Sequence, residues 1–250
     1  YYRNNTANTR TLLECCVAAG VRNFVFSSTA AVYGIPASGA ASEESPTVPI
    51  NPYGWSKLFV ERLLECFDRA YGLKFVALRY FNAAGATTRC GEAHAPETHL
   101  IPLVLAAAAG RRSRVRVFGE DYDTPDGTAV RDYIHVEDLG EAHTLALAHL
   151  RRGGESHFLN LGNGTGYSVL EVIETARRVT GRDVPFEKVG RREGDPPRLV
   201  GGATNSREVL GWTPRRPSPE GVVRSAWAWM QDYEPEAVSR YTTMRKSPQR

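Results

Sequence analysis

Residues 22–29 read RNFVFSST. A short apolar run, Phe24-Val25-Phe26, ends in three hydroxyls, Ser27, Ser28 and Thr29. That is the pattern of a strand buried in a parallel sheet, with its carboxyl end emerging at a site. Leu73 to Phe81 is a second apolar run, and it gives way to Asn82 and a polar loop. Between the two, residues 34–51 are rich in Pro, Ser, Gly and Glu and read as loop. Tyr53 to Tyr71 read as a helix, with Pro52 near its start and Gly72 just past its end. Strand, helix and strand in this order predict an α/β fold with a mainly parallel sheet. Such sheets bind ligands beyond the carboxyl ends of their strands, where Ser27, Ser28, Thr29, Tyr80, Phe81 and Asn82 fall.

Upstream, Leu12, Leu13, Cys16 and Val17 have helical spacing that stops at Gly20, so the chain opens inside a helix and without Met. Downstream, the pattern predicts a helix over His99 to Gly110 and a strand over 114–119 (RVRVFG). Asp126-Gly127 marks a turn. Asp138 is placed to cap a helix running to about Leu150. FLNLG (158–162) reads as a strand, GNGTGYS (162–168) as a loop and Val169 to Thr180 as a helix. A short strand near Val184 to Val189 and the stretch RREGDPP precede two more helices, the last over Pro219 to Asp232. From Tyr233 onward there is no periodicity, and a frayed tail is expected. No internal repeat occurs.

Composition excludes several classes. The chain has 250 residues, with 31 basic against 28 acidic, and its arginines are scattered. Nucleic acid is therefore not an expected partner. The run Arg111, Arg112, Arg114, Arg116 reads as a solvated turn entering a strand. No stretch approaches the ~20 apolar residues of a membrane span. The four cysteines, Cys15, Cys16, Cys66 and Cys90, form no CxxC, and the six histidines form no HExxH. A reducing cytoplasm is expected, and no metal.

Tyr53 and Lys57, in NPYGWSK (51–57), are four apart and share a helix face. A free phenol, with pKa ~10, is a poor base at neutral pH, and moving it three units takes roughly 4 kcal/mol. A partly buried ammonium at short range can supply that. Thr29 or Ser28, at the end of the preceding strand, could hold a substrate oxygen against the phenol. The pair alone equally describes an aromatic packed under a lysine stem. The strand ending in Ser-Ser-Thr, followed by the pair at the next helix start, turns the reading toward chemistry.

Longer stretches carry a resemblance. FVFSSTAAVYG (24–34), NPYGWSK (51–57), LRYFNAAGA (78–86), HLIPLV (99–104), VFGEDYDTPDGTAVRDYIHVEDL (117–139), LNLGNGTGYSVLEV (159–172) and RREGDPP (191–197) occur here in order, after YYRNN (1–5). The chain resembles the UDP-glucose 4-epimerases (UDP-galactose 4-epimerases) of the extended short-chain dehydrogenase/reductase superfamily. That resemblance implies a Rossmann-type parallel sheet with a smaller C-terminal α/β substrate domain. It implies tightly held NAD, a UDP-sugar substrate, and interconversion of UDP-glucose and UDP-galactose through transient oxidation at C4.

By the same resemblance, Tyr53 is the base, Lys57 binds the nicotinamide ribose and lowers the phenol's pKa, and Thr29 hydrogen-bonds the reacting oxygen. Asn4, Ser27 and Phe81 match positions near the cofactor. Asn82, Leu100, Phe118, Arg131, Arg192 and Asp195 match substrate contacts. Guanidinium groups such as Arg131 and Arg192 suit a diphosphate, which they can bind in a bidentate way. Leu199 falls where members vary between bulky and small residues, and leucine, being intermediate, leaves acceptance of N-acetylated sugars open. Nucleotide-sugar 4,6-dehydratases need an acid pair after the strand hydroxyl. Here Ala30 and Ala31 stand there, which disfavours dehydration.

Members of that superfamily open with a strand and a Gly-rich turn that holds the dinucleotide pyrophosphate. No such stretch precedes Tyr1. GNGTGYS is not the substitute, because its glycines alternate instead of following GxGxxG. The expectation is therefore a piece of a longer protein, lacking the early βαβ units, roughly 90 residues at ~30 per unit. Domains are expected as 1–82 with 133–162 for the cofactor, 83–132 with 163–240 for the nucleotide sugar, and 241–250 as tail. A homodimer is expected for the full-length form. The alternative is a non-catalytic nucleotide-sugar-binding remnant.

Overall fold

The computed structural model describes residues 1–232. A helical opening is π-wound over Tyr2–Ala7 and α-helical over Asn8–Ala18 (α1). It leads into β1 (Asn23–Thr29), a 3-10 turn at Ala30–Tyr33, β2 (Ala40–Ala41) and α2 (Pro52–Tyr71). Then come β3 (Lys74–Tyr80), β4 (Asn82–Ala84), α3 (Leu100–Ala108), β5 (Val115–Phe118), β6 (Val130–Arg131) and β7 (Tyr133–His135). The second half holds α4 (Val136–Arg151), β8 (His157–Leu161), β9 (Tyr167–Ser168) and α5 (Val169–Thr180). β10 (Phe186–Val189), β11 (Arg198–Gly201), α6 (Thr204–Leu210) and α7 (Pro219–Asp232) complete it.

Strands β1, β3 and β8 form a parallel sheet with β3 in the middle. Its register pairs Thr29 with Tyr80 and Tyr80 with Leu161, so the three carboxyl ends lie side by side. Side chains of β3 alternate between two cores. Phe75 and Ala77 join Leu13, Val60, Leu64 and Phe67 from α1 and α2. Val76 and Leu78 join Leu139, Ala142 and Ala146 of α4, with Trp212. Burial on both faces is why Phe75 to Leu78 read as a continuous apolar run, not as an alternation. A third core collects Val104, Leu105, Val115, Val117, Val172, Ile173, Val222 and Val223 around α3, α5 and α7.

Helix α2 starts and stops where its sequence dictates. The Asn51 carboxamide oxygen accepts from the Gly54 amide at 2.8 Å, Pro52 follows it, and Gly72 ends the helix in the left-handed region at φ 67°. Helix α5 starts on a full capping box between Ser168 and Glu171.

Several short elements depart from the expectation. β2 lies inside the segment read as loop, and it pairs with β11. β11 pairs in turn with β6, and β6 runs antiparallel to β9. β4 and β7 form a separate parallel pair. These strands are two to four residues long, too short to show a period. Asp138 is not the cap of α4. That helix begins at Val136, and the His135 ring accepts from the Glu137 amide at 3.1 Å. Asp138 is buried in the first turn and accepts the Arg216 amide at 2.9 Å. The tail expected from Tyr233 and the 241–250 segment lie outside the described residues.

Candidate active site

Thr29 is the last residue of β1, and its hydroxyl caps the following 3-10 turn by accepting from the Ala31 amide at 3.1 Å. The same side chain lies near the Tyr53 phenol. Burial pushes the phenol's pKa up, and the Thr29 hydroxyl draws it down. Lys57, one turn along, donates its ammonium to the Ser27 carbonyl at 2.9 Å and lies 4.9 Å from the Phe26 ring. Among the described residues that carbonyl is its one hydrogen-bond acceptor, so two of its N–H bonds remain to be used. Burial lowers the lysine's pKa. The ammonium is 6.0 Å from the Tyr53 ring centroid.

Ser27 has a partner that the sequence did not single out. His143 of α4 uses Nδ1 toward the Leu139 carbonyl at 2.8 Å. A carbonyl only accepts, so Nδ1 carries the proton and Nε2 accepts from the Ser27 hydroxyl at 2.8 Å. Beneath the site lies a buried ionic network. Arg79 of β3 meets Glu61 of α2 through two bonds of 2.9 and 2.6 Å. Ser28 donates to the same carboxylate at 2.5 Å, and Arg79 reaches the Tyr33 hydroxyl at 3.0 Å. The one sequence signal was Glu61 itself, a charge on the stripe of Leu58, Val60 and Leu64, which are all buried.

The expected substrate residues fall in two groups. The Arg131 guanidinium forms an ion pair with the Asp195 carboxylate and donates to its neighbour's carbonyl, Val130, at 2.8 Å. Phe118, at the end of β5, lies between two guanidinium groups, Arg192 at 4.3 Å and Arg116 at 5.3 Å from its ring. Asn82 is tied to the Asp132 carbonyl by its backbone at 2.9 Å and by its side-chain amide at 3.1 Å. Leu100 opens α3 and packs on the third core, while Phe81 and Leu199 pack together against Val32, Tyr33 and Leu58. Asn4 is exposed on the opening helix, whose neighbour Asn5 is held to Ser56 at 3.0 Å.

The GNGTGYS loop is structural. Its amides at Asn163 and Gly164 donate to the buried Asp132 carboxylate at 3.0 and 3.1 Å, which leaves them no phosphate to hold. A Cβ at Gly162 would lie 1.8 Å from the Gly201 carbonyl oxygen, so this glycine is required by close approach. Asp132, pushed up to about 6 by burial, is a further group that sequence reading missed.

A Rossmann-like parallel sheet that brings Ser27, Thr29, Tyr53 and Lys57 to its strand ends defines an enzyme fold of the extended short-chain dehydrogenase/reductase type. Residues 1–162 match the NAD dependent epimerase/dehydratase family, and the chain belongs to it. It is 52% identical over 235 residues to a UDP-glucose 4-epimerase of Streptococcus mutans, covering 93% of this chain and 71% of that one. Identity to the Azospirillum brasilense UDP-glucose 4-epimerase is 55% over 236 residues, covering 94% and 68%. The crystal structure of UDP-glucose 4-epimerase from Brucella ovis in complex with NAD superposes with a TM-score of 0.89 at 46% identity, covering 91% of this chain and 71% of that one. No helix among the described residues is long and apolar enough to cross a membrane.

Proposed function

We propose that this chain has UDP-glucose 4-epimerase activity, interconverting UDP-glucose and UDP-galactose in a reducing cytoplasm. One observation carries the reading. Thr29, Tyr53 and Lys57 converge at the strand ends in a chain about half identical to UDP-glucose 4-epimerases.

The residues present fit the nicotinamide end of NAD. A half-buried ammonium with one protein acceptor, next to the Ser27 hydroxyl, suits ribose hydroxyls. Lys57, Ser27, Asn4, Tyr53 and Phe81 would hold the cofactor, which when bound supplies the acceptor and then the donor of the C4 hydride. Tyr53 takes the proton of the sugar 4-hydroxyl as C4 is oxidised and returns it to that oxygen as C4 is reduced on its other face. Thr29 holds that oxygen against the phenol. Phe118 and Arg192 clasp the nucleotide, and Arg131, braced by Asp195, faces the diphosphate with Asn82 and Leu100 nearby. In this reading residues 1–82 with 133–162 serve the cofactor, and 83–132 with the segment from 163 serve the sugar nucleotide. A homodimer forms through α1 and α2.

The test is to denature the purified chain, quantify released dinucleotide, and assay UDP-galactose turnover. Tyr53→Phe should keep the same NAD content and lose at least ~100-fold in kcat, the lower end of general acid–base contributions. A folded chain without NAD would support the remnant reading instead, and full activity in Tyr53→Phe would remove Tyr53 from the chemistry.

A further inference from the structure

We propose that His94, Glu97 and His99 form a binding site for a divalent cation of the Zn²⁺ class, separate from the strand-end site. The three lie in HAPETH, residues 94–99, a spacing outside the familiar zinc patterns, so no metal is expected from the spacing alone. Their ligand atoms all lie within 4.8 Å of one another. Two ligands of a tetrahedral zinc ion, each at ~2.1 Å, are ~3.4 Å apart. Side-chain rotation in these residues therefore has up to about 1.4 Å to close at the widest pair.

The donor set selects the ion. Two imidazoles with a carboxylate suit Zn²⁺, Ni²⁺, Co²⁺ or Cu²⁺, whereas Ca²⁺ and Mg²⁺ call for oxygen ligands throughout. The carboxylate is already held in place. Glu97 Oε1 accepts from the Thr98 amide at 2.6 Å, the His99 amide at 2.7 Å and His99 Nδ1 at 2.8 Å. That last bond holds Nδ1 of His99 beside the carboxylate, so a cation bound between the two would take the place of the Nδ1 proton. Glu92 stands by as a fourth ligand. Its Oε1 accepts from the His94 amide at 2.8 Å, and its Oε2 is 4.0 Å from His99 Nδ1.

The segment is anchored at both ends, so the ligands are brought together by the fold. On one side Thr87 and Cys90 close a turn with backbone bonds, and Gly91 lies against the Trp229 indole of α7, where a Cβ would approach to 2.2 Å. On the other side His99 is the cap residue of α3, directly before Leu100. A bound cation would clamp residues 92–99 to the start of α3. It would act as a structural tie, because the site is exposed and distant in sequence from Thr29, Tyr53 and Lys57.

The experiment uses the tag-free chain, stripped with chelator and titrated with ZnCl₂ by calorimetry, with Co²⁺ absorbance as a geometric probe. One cation should bind per chain. Loss of an outer-shell partner of a metal site already costs about 10–100-fold in affinity, so His99→Ala should weaken binding by at least ~100-fold. The His94→Ala/His99→Ala double variant should abolish it, with an unchanged circular dichroism spectrum. His149→Ala and His157→Ala, at a second histidine contact with rings 5.4 Å apart, should bind as the wild type does. Absence of saturable binding in the wild type overturns the proposal. So does binding that survives in the double variant or disappears with His149 or His157.

Discussion

At the residue scale, Tyr53 is set by two opposed influences. Burial favours the neutral phenol, and the nearby Thr29 hydroxyl favours the phenolate. Removing the hydroxyl leaves burial without its counterweight, so Thr29→Val raises the phenol's pKa. If Tyr53 acts as the base, kcat/KM climbs with pH through that pKa, and the variant's ascending limb moves to higher pH. Each unit of movement costs about tenfold at a fixed pH below the limb. Thr29→Ser keeps the hydroxyl and should restore the wild-type profile. A Thr29→Val limb that stays in the wild-type position would separate Thr29 from the proton transfer. The sequence made this pairing legible, because a strand end and a helix start bring both residues to one edge. It did not show that Lys57 leans toward the Ser27 carbonyl, which depends on where that carbonyl points.

At the scale of elements, a buried ion pair joins α2 to the sheet beside the apolar contacts of Val60, Leu64 and Phe67. Glu61 and Arg79 are nearly excluded from water, and Ser28, the neighbour of Thr29, shares the carboxylate. Glu61→Gln leaves the guanidinium buried without its counter-charge and should cost about 3–5 kcal/mol in denaturant unfolding. Glu61→Leu with Arg79→Met removes both charges and should recover most of that loss. A single variant as stable as the wild type would show that the pair does not hold α2. Long elements such as β1, α2 and β3 were legible because both sheet faces are covered, and because Asn51, Pro52 and Gly72 mark the helix ends. The Glu61–Arg79 pair was not legible, since it depends on how α2 lies across β3. Likewise Arg131 and Asp195 were each expected to meet substrate. Their contact with each other depends on the loop before β11, which brings together residues 64 apart in sequence.

At the scale of the whole molecule, the opening helix and α2 leave an apolar face outward. Tyr2 is 48% exposed and Phe59 42%, their rings are 6.0 Å apart, and Trp55 lies 5.7 Å from Phe59. Together with Ala7, Leu63 and Cys66, the first two line a shallow cleft between the helices. Apolar patches of this kind on one face mark association surfaces. In a symmetric dimer the same patch meets its own copy, so one substitution acts twice. Phe59→Glu places a charge on each side of that contact. It touches no core cluster of the protomer, and so should leave the monomer's melting temperature close to the wild type's. Sedimentation velocity should show a dimer for the wild type and a monomer for the variant. A wild type that sediments as a monomer, or a variant that remains dimeric, would place the association surface elsewhere or remove it.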